Sequence, residues 1–301
     1  SLIKGNSNEA ILHNIAGACY SSLGQLTDAI DSFNEAIKIK PDYAEAHNSL
    51  GASLQAIGKL NEAVESYKSA IVAFPNYVQA HTNLGNTYSA LNRLDDAISC
   101  YEKSISIKPD FALAHFNLGV IYFKKKELTK AIESYEKAIQ LNPKYFEAHN
   151  NLGITFQFFG KMDLALDCYK KAIRIKPNFL DAQINLGVIL TEMGKLSEAK
   201  SCLRKAISID SGSAKAHNSL GNVFKDQGSL MEAESAYKRA IEIQPNFAMA
   251  FNNLGIVSYA NGNLDDSLKS LKKAYSIKPE SKLLLSVIGA KKSLSNSSSS
   301  G

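Results

Sequence analysis

Apolar residues recur along the chain at helical spacing, in paired stretches separated by short polar breaks. Between Ala44 and Tyr77, two stretches at roughly 44–57 and 61–74 place apolar side chains three or four residues apart. That is the period of one buried helix face. Gly58, between the stretches, fits a left-handed helix stop, and Asn92, at the same place one period on, is the residue best able to replace glycine there. Pro75 ends the second stretch because it has no N–H for the next helical hydrogen bond. The same pattern then repeats. All seven prolines (Pro41, Pro75, Pro109, Pro143, Pro177, Pro245, Pro279) fall on one 34-residue register, with Ser211 as its single missed beat. Eight glycines from Gly17 to Gly255 occupy a second register, and six more lie seven residues further on, with Asn92 and Lys126 filling the two gaps.

Fixed-period self-similarity means stacked repeats, and it overrides the two domains that length alone suggests. With slots numbered 1 to 34 from Ala10, eight units run to Ser281: 10–43, 44–77, 78–111, 112–145, 146–179, 180–213, 214–247 and 248–281. Small residues at slots 8, 20 and 27 (Gly51, Ala63, Ala70) let helices approach, and Leu50, Leu54 and Tyr67 at slots 7, 11 and 24 fill the space. Slot 18 holds Thr27, Asn61, Asp95, Thr129, Asp163, Ser197, Met231 and Asp265, seven of them good N-caps, which predicts that it caps the second helix. Each helix–turn–helix unit cannot bury its apolar face alone and must stack on its neighbours.

The run Leu84-Gly85, Tyr88, Ala97, Tyr101, Pro109, repeated with few breaks, resembles the tetratricopeptide repeat family in period and pattern. The resemblance covers about nine-tenths of the chain and implies an all-α, right-handed α–α superhelix of eight repeats with a C-terminal capping helix. Two departures stand out. Slot 4, often tryptophan in the family, is His or Phe here and Gln183 once; and Asp210-Ser211-Gly212-Ser213 loses both the proline and the slot-34 aromatic, which marks the loosest joint. Residues 1–9 read as the end of a preceding helix or a truncated repeat, with Ser7 where proline belongs. Residues 282–294 read as the amphipathic cap, and residues 295–301 as a disordered polar tail. The first residue is Ser1 rather than Met, which suggests a piece of something longer.

Composition narrows the chemistry. The 301 residues are 45% hydrophobic and 21% charged, with a net charge of +5. No apolar run approaches the ~18 residues of a membrane span, so no membrane partner is expected. Four cysteines without a C-x-x-C pair exclude a disulfide scaffold and a zinc ribbon. Cys100, Cys168 and Cys202 share slot 23 and read as small buried hydrophobes, which fits a cytoplasmic home. All six histidines stand at slot 4, too far apart (~10 Å per helix layer) to share one metal ion, so they read as packing residues in place of an aromatic. No nucleophile–base pair, phosphate loop or carboxylate pair stands out, so no enzyme activity, cofactor or metal is expected of this segment.

In the family, slots 2, 5, 6, 9, 12 and 13 of the first helices point into the concave groove. On that resemblance the groove carries five acidic and three basic residues, net −2, so phosphates would meet the wrong sign and no nucleic acid is expected. Slot 6 presents Asn83, Asn117, Asn151 and Asn185 in four consecutive units, and Asn253 in the last. A carboxamide both donates and accepts, so such a ladder can pair with a peptide backbone whatever its side chains; the alternative is that the asparagines cap or brace neighbouring helices. The ladder is similar to that of the O-linked N-acetylglucosamine transferase repeats, with an acidic slot matched in part by Glu147 and Asp181. The lysine–arginine clamp of chaperone-tail binders is missing. Hydrogen bonds of ~0.5–1.5 kcal/mol each cannot specify a partner alone; the apolar anchors at inward slots beside the ladder include Phe116, Val120, Phe123, Phe158 and Ile184. The expected function is a non-catalytic scaffold that binds an extended peptide or partner segment. The alternatives are a substrate-recruiting arm of a larger glycosyltransferase, sulfotransferase or oxygenase, and end-to-end self-association.

Overall fold

The computed structural model describes residues 2–279, with residues 2–7 as backbone alone. Among the described residues sixteen helices follow one another and no strand occurs. In chain order they are α1 (Leu2–Ser22), α2 (Leu26–Ile39), α3 (Ala44–Ala56), α4 (Leu60–Ala73), α5 (Val78–Ala90), α6 (Leu94–Ile107), α7 (Ala112–Lys124) and α8 (Leu128–Leu141). There follow α9 (Phe146–Phe158), α10 (Met162–Ile175), α11 (Leu180–Glu192), α12 (Leu196–Ile209), α13 (Ala214–Asp226), α14 (Leu230–Ile243), α15 (Ala248–Ala260) and α16 (Leu264–Ile277). The chain divides into two compact units, Ser1–Thr155 and Phe156–Gly301. The capping helix expected over residues 282–294 and the tail of 295–301 lie outside the described residues. α1 is continuous through Ser7, where the sequence places a joint; a serine keeps the N–H that a proline would lack, so the helix need not end there.

In the first unit α3, α5 and α7 pack side by side as first helices, each backed by its own second helix. The seam inside each pair is set by slots 8 and 24. Tyr67, Tyr101 and Tyr135 are all but fully buried, and a Cβ added at Gly85 would lie 2.6 Å from the Tyr101 ring. Glycine is therefore demanded by close approach. The second unit builds the same seam with Leu203, Tyr237 and Leu271, all at 0% exposure, against Gly187, Gly221 and Gly255.

The turn inside each pair corrects the cap expected at slot 18. Gly58 adopts φ +80°, and Lys59 N–H donates to Leu54 O at 2.9 Å, closing α3 with a left-handed turn. Only Lys59 then separates that turn from α4, so the helix starts at slot 17 and the cap position is slot 16, and no described second helix, the one that Ser229 precedes included, has a side-chain cap bond. Asn61, Asp95 and their equivalents lie inside the first turn, where acidic members such as Asp95 face the positive helix end.

The joints between pairs show a device that the sequence left as mere packing. His47, His81, His115 and His149 each place Nε2 at 2.8–3.1 Å from the carbonyl oxygen of Pro41, Pro75, Pro109 and Pro143 respectively. Gln183 Nε2 donates to Pro177 O at 3.2 Å, and His217 reaches Ser211 O at 3.1 Å. An N–H at slot 4 thus ties six first helices, α3 to α13, to the turn that precedes each, whereas α15 carries Phe251 at that slot. The constant six-residue spacing from proline to histidine is the sequence signal for it. At Asp210–Ser213, expected as the loosest joint, Gly212 N–H donates to Asp210 Oδ1 at 2.9 Å and Ala216 N–H to Ser213 Oγ at 3.4 Å. Side-chain bonds there stand where proline and the aromatic are missing.

Candidate peptide-binding face

The first unit carries most of the expected site. Asn83 on α5 and Asn117 on α7 are half-buried. Asn83 Nδ2 donates to Asn48 Oδ1 at 3.1 Å, and Asn117 Nδ2 to Asn86 Oδ1 at 3.0 Å, so each ladder amide bridges to the first helix before it. Tyr101 O–H donates to the same Asn86 oxygen at 2.7 Å, which locks α6 into the node. Asn151 receives a hydrogen bond from Asn150 Nδ2 at 3.3 Å, and the Tyr135 hydroxyl is bonded to it as well. Among the described residues Asn83 and Asn117 show no bond to their Oδ1 atoms, so the acceptor half of each carboxamide is unused.

Apolar side chains lie beside these amides. Leu113 is 40% exposed, and Phe116, Val120 and Phe123 are half-buried on the same helix, α7. The Phe116 ring is held 4.8 Å from Tyr145 and 5.8 Å from Tyr135, which fixes its orientation. Burial pushes the Tyr145 hydroxyl up to about 12, with the Glu147 carboxylate adding to it. Glu45 likewise adds to the rise that burial causes at Tyr43 and Tyr77. The acidic slot therefore sits against neutral phenols, a fixed negative spot beside aromatic rings.

In the second unit, Asn253 Nδ2 donates to both Asn218 Oδ1 and Asn222 Oδ1, at 3.0 and 3.1 Å, and Tyr237 O–H also donates to Asn222 Oδ1, at 2.8 Å. Asn185 is half-buried and Asp181 exposed. Phe158 is 72% exposed, next to Phe159 at 46%. Ile184 is the correction: at 6% exposure it belongs to the core and offers no anchor. Slot 5 turns toward the pair's own second helix, as Thr82 shows by its 2.9 Å hydroxyl bond to Ser104 of α6, and Asn150 and Asn218 at that slot are buried too; Phe116, at the same slot and against Tyr135 of α8, stays half-buried. A helical wheel read from family resemblance could not separate slot 5 from slot 6.

All four cysteines are free, with Cys100 and Cys168 buried and Cys19 exposed. Among the described residues no cluster of His, Cys, Asp and Glu could hold a metal ion, and no helix is long and apolar enough to cross a membrane.

The comparisons agree with this architecture. A family model described as cilia and flagella-associated protein 70 C-terminal domain matches residues 72–276, and a TPR repeat model matches residues 17–58. The chain belongs to that tetratricopeptide repeat family. No curated protein matches it. Among solved structures, YrrB, titled a TPR protein with an unusual peptide-binding site, is 25% identical over 62% of this chain and 96% of its own, with a TM-score of 0.51. MamA is 28% identical over 54% of this chain and 94% of its own, also at 0.51. A tetratricopeptide repeat protein from Parabacteroides merdae, 19% identical, covers 83% of this chain and 99% of its own at 0.65, and bears on the fold alone.

Proposed function

We propose that the chain is a non-catalytic scaffold whose first unit binds an extended segment of a protein partner along α3, α5 and α7. The supporting observation is the exposed and half-buried apolar row Leu113, Phe116, Val120 and Phe123 beside carboxamide oxygens of Asn83 and Asn117 that no described group uses. The row supplies the anchors. The amides supply register, with Glu147 favouring a basic or hydroxyl side chain near Tyr145. Phe158, Asp181, Asn185 and Asn253 form a separate candidate surface of the second unit. YrrB, a peptide-binding protein by its title, is consistent with such a use of the fold.

A fluorescent peptide array with apolar residues at varied spacing tests the reading. The best binder is expected to weaken at least tenfold with Phe116→Ala/Phe123→Ala while helicity stays unchanged; undiminished binding overturns it. Single-stranded DNA and RNA of equal length serve as arms expected to show no binding. Light scattering over a hundredfold concentration range tests end-to-end assembly, which a constant mass of 32.7 kDa removes.

A further inference from the structure

The second-helix side of the second unit carries a cleft that the repeat itself would normally fill. Slot 11 of a repeat lies against slot 21 of the repeat before it, and in the first compact unit the pairing is apolar: Val64 with Tyr88 and Ile98 with Tyr122 share one core cluster. At the next departure Lys200 replaces the aliphatic residue and its Nζ lies 4.9 Å from the centre of the Phe224 ring. At the last pairing both members change, to Glu234 on α14 and Ser258 on α15.

The consequence is space. A cavity of about 690 Å³ opens between α14 and α16, floored by Phe251, Leu254 and Ser258 of α15. That volume falls in the range of roughly 300–1,000 Å³ for ligand pockets, and it exceeds one side chain. Its rim is basic. Lys269, Lys272 and Lys273 project from α16, all exposed, and among the described residues none of the three is ion-paired. Lys238 on the opposite wall is paired with Glu234 at 2.7 Å, which leaves Asp266 as the one lining acid outside that pair.

We propose that this cleft docks an acidic segment of a partner protein through a bulky apolar side chain. The leucine or aromatic ring would take the place that Leu54, Tyr88 or Leu190 fills in other units, and flanking carboxylates would meet Lys269, Lys272 and Lys273. Charge complementarity sets the partner's sign: the rim has three unpaired lysines against one carboxylate, so a basic or neutral segment gains nothing there. The inference does not rest on the face proposed above, which lies in the other unit and on first helices.

The test uses the whole chain and a fluorescein-labelled heptapeptide of aspartates and glutamates around a central phenylalanine, read by fluorescence anisotropy. Wild type is expected to bind, more weakly as salt rises. Ser258→Phe refills the slot and is expected to abolish binding without lowering the melting temperature, and Lys269→Glu/Lys273→Glu to weaken it at least tenfold. Phe116→Ala/Phe123→Ala leaves it unchanged, which separates this cleft from the other face. Equal binding of the peptide with asparagine and glutamine in place of its acids overturns the proposal, as does binding that survives Ser258→Phe. Capture of phenylacetate but not of the peptide also overturns it, by making the cleft a small-molecule site.

Discussion

The two compact units use one helix-pair design with different degrees of fidelity. In the first, every described joint from α2 onward is a proline turn tied by histidine, and slot 24 is always aromatic, Phe33 then Tyr67, Tyr101 and Tyr135. In the second, slot 24 alternates between Tyr and Leu, one joint has no proline, and one apolar pairing is lost to Glu234 and Ser258. Most of these exchanges conserve the backbone. Asp210 and Ser213 each make a side-chain hydrogen bond at the joint that lacks proline and the aromatic, the first of them matched by Asn142 at a joint that keeps both, and Asn222 repeats the node of Asn86 with the same two donors, a tyrosine and a ladder asparagine. The exchange at Glu234 and Ser258 conserves the helices but not the filling. A departure that leaves space is a different signal from one that swaps one bond for another.

The largest effect expected from this contrast is alkaline. Burial raises the phenols of Tyr67, Tyr101 and Tyr135 far above the ordinary 10, and that of Tyr145 to about 12. A group whose folded pKa is raised contributes stability that is whole below its unfolded pKa and is lost as pH rises through the folded one. Stability should therefore hold to pH 10 and fall steeply above it. The second unit has two such phenols, Tyr169 and Tyr237, beside Leu203 and Leu271. Hydrogen exchange followed peptide by peptide at pH 8 and 10.5 should show the first unit losing more protection; equal loss in both breaks the comparison.

Next comes the seam inside the pairs. Gly85→Ala puts a methyl 2.6 Å from the Tyr101 ring, and Gly187→Ala one 2.5 Å from Leu203 Cγ. Neither neighbour presents a flexible far end, so each substitution should cost about 1–3 kcal/mol in urea unfolding. If Gly187→Ala costs under half of Gly85→Ala, leucine yields where tyrosine does not, and the two seams are not equivalent.

The architecture was legible because proline, glycine and the small slots obey backbone rules that need no partner information. The 34-residue register placed every described pair within a few residues. What escaped lay in relations between units. The tie from slot 4 to the preceding turn joins side chain to backbone across a joint, and hydrophobicity says nothing of it. The ladder of asparagines was visible, yet whether an amide faces a ligand or the next helix depends on a neighbour about 31 or 35 residues away; the answer is that Asn83 and Asn117 spend their donors on Asn48 and Asn86. Ile184 was misjudged for the same reason, since one slot of rotation moves a side chain from the surface into the seam. The N-cap expected at slot 18 failed because a left-handed turn of two residues consumed the space that a cap would need.

Ser213→Ala then tests whether a hydrogen-bonded joint equals a proline joint. Its hydroxyl accepts from Ala216 N–H at the start of α13, and removal should cost about 1 kcal/mol, as for other caps. The loss should stay local, with faster exchange at the first amides of α13 and none at α11. Loss of less than about 0.3 kcal/mol, or fraying that reaches α11, would mean that the Ser213 bond does not stand in for the missing proline and aromatic.

The smallest effect concerns the turns inside the pairs. Asn92 and Lys126 sit at φ 57° and 63°, in the left-handed region, where the second unit has glycine at all four equivalent places. A side chain with a Cβ pays roughly 1–2 kcal/mol there, and asparagine less because its amide bonds locally. Lys126→Gly should raise stability by about 0.5–1 kcal/mol, since relief of strain exceeds the entropy that glycine adds to the unfolded chain. Lys125, held to Asp95 and Glu127 by ion pairs, is left untouched by the change. The reverse substitution, Gly194→Lys at φ 73°, should cost about as much as Lys126→Gly gains. If Lys126→Gly is neutral while Gly194→Lys is costly, α7 and α8 have adjusted around the lysine, and the first unit's regularity extends to a turn that its own sequence breaks.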